Sequence, residues 1–173
     1  MKTIFFLLSL CLFSSSVNFS QNNTVNSLLW QVSGNGLQKP SYLFGTYHFL
    51  SNGFIDAMKA VKNAYKATDG VIGELIIDTS IQRPTMDAEM NNAYISQNLG
   101  KLQQLVYGGS YTPEEIKILL DDRNNYWMQQ LPKLMQDQSL FVAVGALHLV
   151  GKSGLVSKLR EQGYTVTQIN PRN

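Results

Sequence analysis

The chain contains two histidines, His48 and His148, and each lies three positions after a glycine. Gly45-Thr46-Tyr47-His48 follows the apolar run Tyr42-Leu43-Phe44, and Gly145-Ala146-Leu147-His148 follows Val142-Ala143-Val144. Two apolar residues come after each histidine. A strand that ends at glycine can turn sharply or approach a neighbour closely at that point. Each histidine is then expected at or just beyond the carboxyl end of a strand, the edge where open α/β sheets bind ligands. If the two strands are neighbours, both imidazoles enter one crevice. Neutral imidazole is the commonest metal ligand and a good general base. The alternative is two unrelated core histidines, each satisfied by a backbone carbonyl.

Glu74 stands inside the apolar run Val71-Ile72-Gly73-Glu74-Leu75-Ile76-Ile77. A carboxylate there is costly unless it is paired, protonated or metal-bound. Strand alternation could instead place it on a solvated face. Two histidines and a glutamate suit zinc, manganese or iron. Arg123, in Asp121-Asp122-Arg123-Asn124-Asn125-Tyr126-Trp127, could pair with Glu74 or fix a substrate carboxylate. Equally, Asp122, Arg123 and Asn124 could be the solvated face of an amphipathic helix whose Leu119, Leu120, Tyr126 and Trp127 turn to the core.

These residues need strands and helices to hold them. Ser27–Val32 and Ser41–Phe44 read as strands joined by a turn at Gly34-Asn35-Gly36, with Pro40 leading into the second. Phe54–Ala67 has helical spacing, with Lys59, Lys62 and Lys66 on its polar side. Val71–Ile77 reads as a buried strand, and Met86–Asn98 as a helix. Gly108-Gly109 marks a break. Thr112-Pro113-Glu114-Glu115 starts a helix that runs through Trp127, with a bend or restart at Pro132. Leu140–Val144 is a strand, Gly154–Gln162 a helix stopped by Gly163, and Tyr164–Ile169 a last strand. Helices between strands predict an α/β fold, a mixed sheet with helices packed on it.

At 173 residues and 44% hydrophobic, the chain is sized for one globular domain rather than a disordered tail. Fourteen basic and twelve acidic residues leave a net charge of +2, with no footprint for nucleic acid. Lys2, the apolar run Ile4–Phe13 and Ser14-Ser15-Ser16 form the layout of a secretory signal peptide over residues 1–20. A flexible leader is expected over 21–27 and a single domain over 28–173. The run is too short to span a bilayer. Cys11, the one cysteine, lies within it, so the processed chain is expected to have no disulfide and no thiolate site.

The segments Leu28–Gly36, Lys39–His48 and Phe141–Gly151, with Glu74, Arg123-Asn124 and Trp127, resemble the TraB/GumN family, whose animal relatives are the Tiki metalloproteases. The resemblance implies a fold related to ChaN and the erythromycin-esterase-like (EreA) proteins. It implies a site of His48, His148, Glu74 and Arg123. For the Tiki branch it implies proteolysis dependent on a divalent metal, manganese or cobalt being favoured. Full members carry a long helical insert and a further glutamate-bearing strand between the glutamate strand and the Arg-Asn helix. Here Glu74 and Arg123 are 49 positions apart, so this chain resembles a shortened member with its middle deleted.

The expectation is therefore an exported protein, periplasmic, cell-envelope or secreted, that hydrolyses a peptide or small molecule with a divalent metal (Mn, Co or Zn). His48, His148 and Glu74 would hold the ion, and Arg123 would stabilise oxyanion charge or orient Glu74. Glu74 could instead be the general base if the third ligand lies elsewhere. Two alternatives are a non-catalytic metal- or ligand-binding module and a degenerate truncated member. In the latter, exposed sheet edges would invite a homodimer.

Overall fold

The computed structural model describes residues 27–47, 54, 56–74 and 88–173. The signal-peptide segment with Cys11, the last residues of the expected Val71–Ile77 strand, and His48 lie outside the described residues. The architecture is α/β, with a five-stranded mixed sheet in the order β3-β4-β2-β1-β5.

β1 (Leu29–Ser33) and β2 (Ser41–Thr46) are antiparallel, with Leu29 opposite Phe44 and Val32 opposite Ser41. The turn between them uses three consecutive residues of positive φ, Gly34 (+76°), Asn35 (+48°) and Gly36 (+86°). Glycine and asparagine tolerate that region, which explains why the sequence punctuates here. β5 (Thr165–Ile169) closes the other side of β1, also antiparallel. β3 (Gly70–Gly73) and β2 flank β4 (Leu140–Gly145), both parallel to it. β4 is the central strand of this parallel trio, and its Leu-Phe-Val-Ala-Val run is buried almost throughout, as a strand covered on both faces must be.

Parallel neighbours need crossovers, and helices supply them. α1 (Lys59–Ala67) lies between β2 and β3 in the chain. It is the longer part of the expected 54–67 helix: Phe54 and Asp56 are also helical, and buried Met58, which leaves helical geometry (φ −96°, ψ 83°), interrupts the run. One amide of its first turn, Ala60 N–H, donates to the Pro171 carbonyl, a partner the local sequence does not contain. From β3 to β4 the chain runs through α2 (Ala88–Ile95) and α3 (Leu99–Leu105). The segment Val106–Ser110 follows and breaks helical geometry at Gly109 (φ +136°), as the Gly108-Gly109 pair predicts; then come α4 (Pro113–Ile116) and a π-helical segment, Lys117–Asp121. α5 (Asp122–Met128) and α6 (Leu131–Asp137) complete the crossover. α7 (Leu155–Glu161) then connects β4 to β5.

α2 (Ala88–Ile95) lies within the expected 86–98 helix, and α3 (Leu99–Leu105) is a second helix beyond its end. Asn98 caps the second by accepting from Lys101 N–H, and buried Leu99 and Leu102 hold it despite Gly100 in its interior. The helix start at Thr112 is as expected: its hydroxyl accepts from Glu115 N–H while the Glu115 carboxylate accepts from Thr112 N–H. Pro132 sits in the first turn of α6, so the helix restarts there. Ser27, where the expected leader meets the expected first strand, is buried; its hydroxyl accepts from Leu29 N–H and donates to the Ile169 carbonyl, tying it to β1 and β5.

One large cluster of buried residues spans the sheet and its helices, centred on Leu28, Trp30, Leu43, Val142, Leu149 and Leu155. A smaller one, Val106, Ile116 and Leu120, joins the Val106–Ser110 segment to α4 and the π segment after it. Among the described residues, no helix is long and apolar enough to cross a membrane.

Candidate functional site

The register of the parallel strands brings their carboxyl ends to one edge. Thr46 of β2 pairs with Gly145 of β4, so the two Gly-x-x-His segments leave adjacent strands side by side. Gly73 of β3 pairs with Ala143, and the next residue's amide, Glu74 N–H, donates to the Ala143 carbonyl (2.9 Å). Glu74 N–H thus continues the bonding of β3 to β4 by one residue.

After Gly145 the chain enters a 3-10 turn, Ala146–Leu149, which swings His148 back under the strand end. Its side chain is 4% exposed. His148 Nε2 lies 3.4 Å from Glu74 Oε1, and Arg123 Nη2 lies 2.6 Å from the same oxygen. The other carboxylate oxygen, Oε2, accepts from Gly145 N–H at 2.7 Å. Both motif glycines allow a close approach. A Cβ on Gly145 would stand 3.2 Å from Glu74 Oε2. A Cβ on Gly45 would stand 3.0 Å from Ala146 Cα and 3.1 Å from Leu149 Cδ1. Burial works to raise the Glu74 pKa, but the His148 hydrogen bond, the Gly145 amide and the charges of His148 and Arg123 outweigh it and hold the carboxyl down at about 2.

Arg123 reaches the site from α5, one helical position before Asn124. The solvated-face alternative for this segment is overturned for Asn124, which is 1% exposed, while Tyr126 and Leu119, assigned to the core, are 59% and 46% exposed. The physical reason is helical spacing: Asn124 stands four residues from both Leu120 and Met128, which are buried, and Tyr126 lies on the other side of the helix. Asn124 Nδ2 donates to the carbonyls of His148 (3.3 Å) and Ser153 (2.9 Å). Carbonyls only accept, so the amide orientation is fixed, and Asn124 Oδ1 is the atom that faces His148 Nδ1 at 2.9 Å. Nδ1 must carry a proton. In the neutral ring, Nε2 then presents its lone pair toward the Glu74 carboxylate, an arrangement that calls for a cation, a proton or a metal, between them.

Trp127 completes the surroundings. Its ring lies 4.7 Å from the His148 ring centroid, and the Arg123 guanidinium stands 5.1 Å from its own centroid. An open cleft of about 450 Å³ lies over Gly73, Glu74, Arg123, Tyr126 and Trp127. On the β2 side, Tyr94 donates to the Gly45 carbonyl (2.8 Å) and stacks on Tyr47 at 5.0 Å; burial pushes its phenol well above the ordinary value.

The structure thus unites Glu74, Arg123 and His148. His48 follows Tyr47 outside the described residues, and among the described residues no three metal-binding side chains converge. The donor set still suits a metal in part. Glu74 and His148 face each other, and the Nδ1 tether to Asn124 is the kind of support that metal-bound histidines have. Asn124 and Tyr94 are site residues that the sequence reading did not single out. The one signal for Asn124 was its place beside Arg123.

Fold and site together define an α/β domain with a carboxylate, imidazole and guanidinium cluster at the carboxyl edge of its parallel strands. The chain belongs to the TraB/PrgY/gumN family, whose model matches it in two overlapping segments, residues 28–111 and 77–168. No curated protein and no solved structure is significantly similar to it.

Proposed function

We propose that this protein is an exported, divalent-metal-dependent hydrolase, a peptidase by its family resemblance, with His48, His148 and Glu74 as the metal ligands and Mn, Co or Zn as the ion. The observation that carries the reading is the setting of His148, whose Nδ1 faces Asn124 Oδ1 at 2.9 Å while its Nε2 faces the Glu74 carboxylate at 3.4 Å. Bound there, the ion would polarise an acyl carbonyl and lower the pKa of its water toward about 7. Gly145 N–H holds Glu74 Oε2 and leaves Oε1 facing the cleft side of the cluster. Arg123, with 38% of its side chain exposed, can turn N–H donors to the oxyanion that forms as a carbonyl is attacked.

The test is metal affinity, wild type beside His48→Ala and His148→Ala. Stoichiometric Mn, Co or Zn binding lost in both variants is the expected result. Unchanged affinity in both refutes it. A second reading, a binding module without catalysis, has one observation in its favour: Arg123 already occupies the Glu74 oxygen that faces His148. Stoichiometric metal uptake with no turnover of peptides or esters would select it.

A further inference from the structure

A second cavity, of about 190 Å³, adjoins the cluster on the side away from Glu74. Val106, Ile116 and Leu120 form its buried wall, and Tyr111 and Leu119, 41% and 46% exposed, form its rim. Arg123 and His148 are its polar boundary, and Arg123 also lines the open cleft over Glu74. A ligand held at Arg123 can therefore reach into this cavity without leaving the centre. Val106 comes from the helix end that breaks at Gly109 (φ +136°), and Leu119 and Leu120 from the π turn Lys117–Asp121. Single π turns inside helices occur frequently at functional sites.

We propose that this cavity is the specificity subsite of the centre. It takes one leucine- or phenylalanine-sized apolar side chain of an acyl or peptide substrate, with the adjoining carbonyl or carboxylate oxygen held by Arg123. The inference rests on reading Glu74, Arg123 and His148 as the reacting centre. It narrows the substrate to acyl groups that carry a bulky apolar substituent beside the carbonyl. Small or charged side chains gain nothing from the Val106, Ile116 and Leu120 wall.

The test uses the metal-free full chain and four small probes, N-acetyl-L-leucine, N-acetylglycine and their amides, titrated by calorimetry. N-acetyl-L-leucine is expected to bind about thirtyfold tighter than N-acetylglycine, equivalent to about 2 kcal/mol. The same preference in the amides assigns the Arg123 contact to the carbonyl; its loss there assigns it to the carboxylate. Leu119→Gln, at an exposed rim position that folding tolerates, should cut the leucine preference to a few-fold and leave N-acetylglycine unchanged. Arg123→Gln should weaken both acids. Equal affinity for the leucine and glycine acids, no binding by either at any soluble concentration, or a full preference in Leu119→Gln overturns the proposal. Metal titration of the same samples separates the two readings. A leucine preference without metal binding leaves the subsite standing and removes the metal centre. Metal binding without the preference does the reverse.

Discussion

Replacing Asn124 with alanine should be the most damaging single polar change in the described site. The side chain is 1% exposed and satisfies three groups, His148 Nδ1 (2.9 Å), the His148 carbonyl (3.3 Å) and the Ser153 carbonyl (2.9 Å). A buried donor or acceptor left unpaired costs about 1–3 kcal/mol. The His148 ring bears a share of that, since either Nδ1–H goes unpaired or the proton moves to Nε2 and leaves Nδ1 an unpaired acceptor. The carbonyls lose less, because a water can enter the space the amide leaves. The sum is about 3 kcal/mol, and at roughly 2–4 °C per kcal/mol for a chain of this size the midpoint of thermal unfolding should fall by about 6–12 °C. The tautomer should change with it. Freed from Oδ1, the imidazole can move its proton to Nε2 and donate to Glu74, which nitrogen-15 shifts of His148 report directly. If the centre binds metal, affinity should drop by about 10- to 100-fold, the usual cost of losing a partner behind a ligand. Asn124→Asp keeps the acceptor for Nδ1 but sets an anion against two carbonyls, so it should preserve the tautomer while still losing stability. Unfolding of Asn124→Ala within about 0.5 kcal/mol of wild type, with the tautomer unchanged, would refute the reasoning.

Glu74→Gln should remove an acid-sensitive contribution to stability. Because the folded-state pKa lies near 2, below the ordinary 4.5, the ionised carboxylate stabilises the fold fully above about pH 4.5 and loses that effect as pH falls toward 2. The shift corresponds to about 3 kcal/mol, and denaturant midpoints measured across that window should converge for wild type and variant at the acid end. Gly45→Ala should destabilise by about 1–3 kcal/mol, since the new methyl meets Ala146 Cα at 3.0 Å and Leu149 Cδ1 at 3.1 Å in a packed strand end; chemical denaturation that leaves the midpoint unmoved would contradict that packing. Arg123→Gln should cost at most about 1 kcal/mol, because the side chain is 38% exposed and its pair with Glu74 is partly screened. A larger loss would mean that the guanidinium is structural rather than available to a ligand.

Much of this protein was legible along the chain. The Gly34-Asn35-Gly36 turn, the Thr112 capping box, the Pro132 restart and the Gly163 stop are local chemistry, decided by φ preferences and by side chains that bond their own backbone. The two Gly-x-x-His segments, Glu74 and Arg123 could be picked out because histidines are scarce here and a carboxylate in an apolar run is costly. Their mutual placement was not legible, because it depends on which strands pair. Only the parallel registry of β3, β4 and β2 shows that Glu74 and His148 leave the sheet at one edge. The face of the helix carrying Arg123 was legible too: Asn124 stands four residues from both Leu120 and Met128, which are buried, so a regular helical period puts it inside and Tyr126 outside. What Asn124 meets there, His148 and the Ser153 carbonyl, lies 24 and 29 positions away and was not legible. The residue types that could do chemistry were therefore set by the sequence itself. The state of that chemistry was decided by the fold: which histidine nitrogen holds the proton, which oxygen of Glu74 is free of the backbone, and which apolar hollow adjoins Arg123. Each depends on groups far apart in the chain meeting in a buried, low-dielectric place where every donor and acceptor must be accounted for.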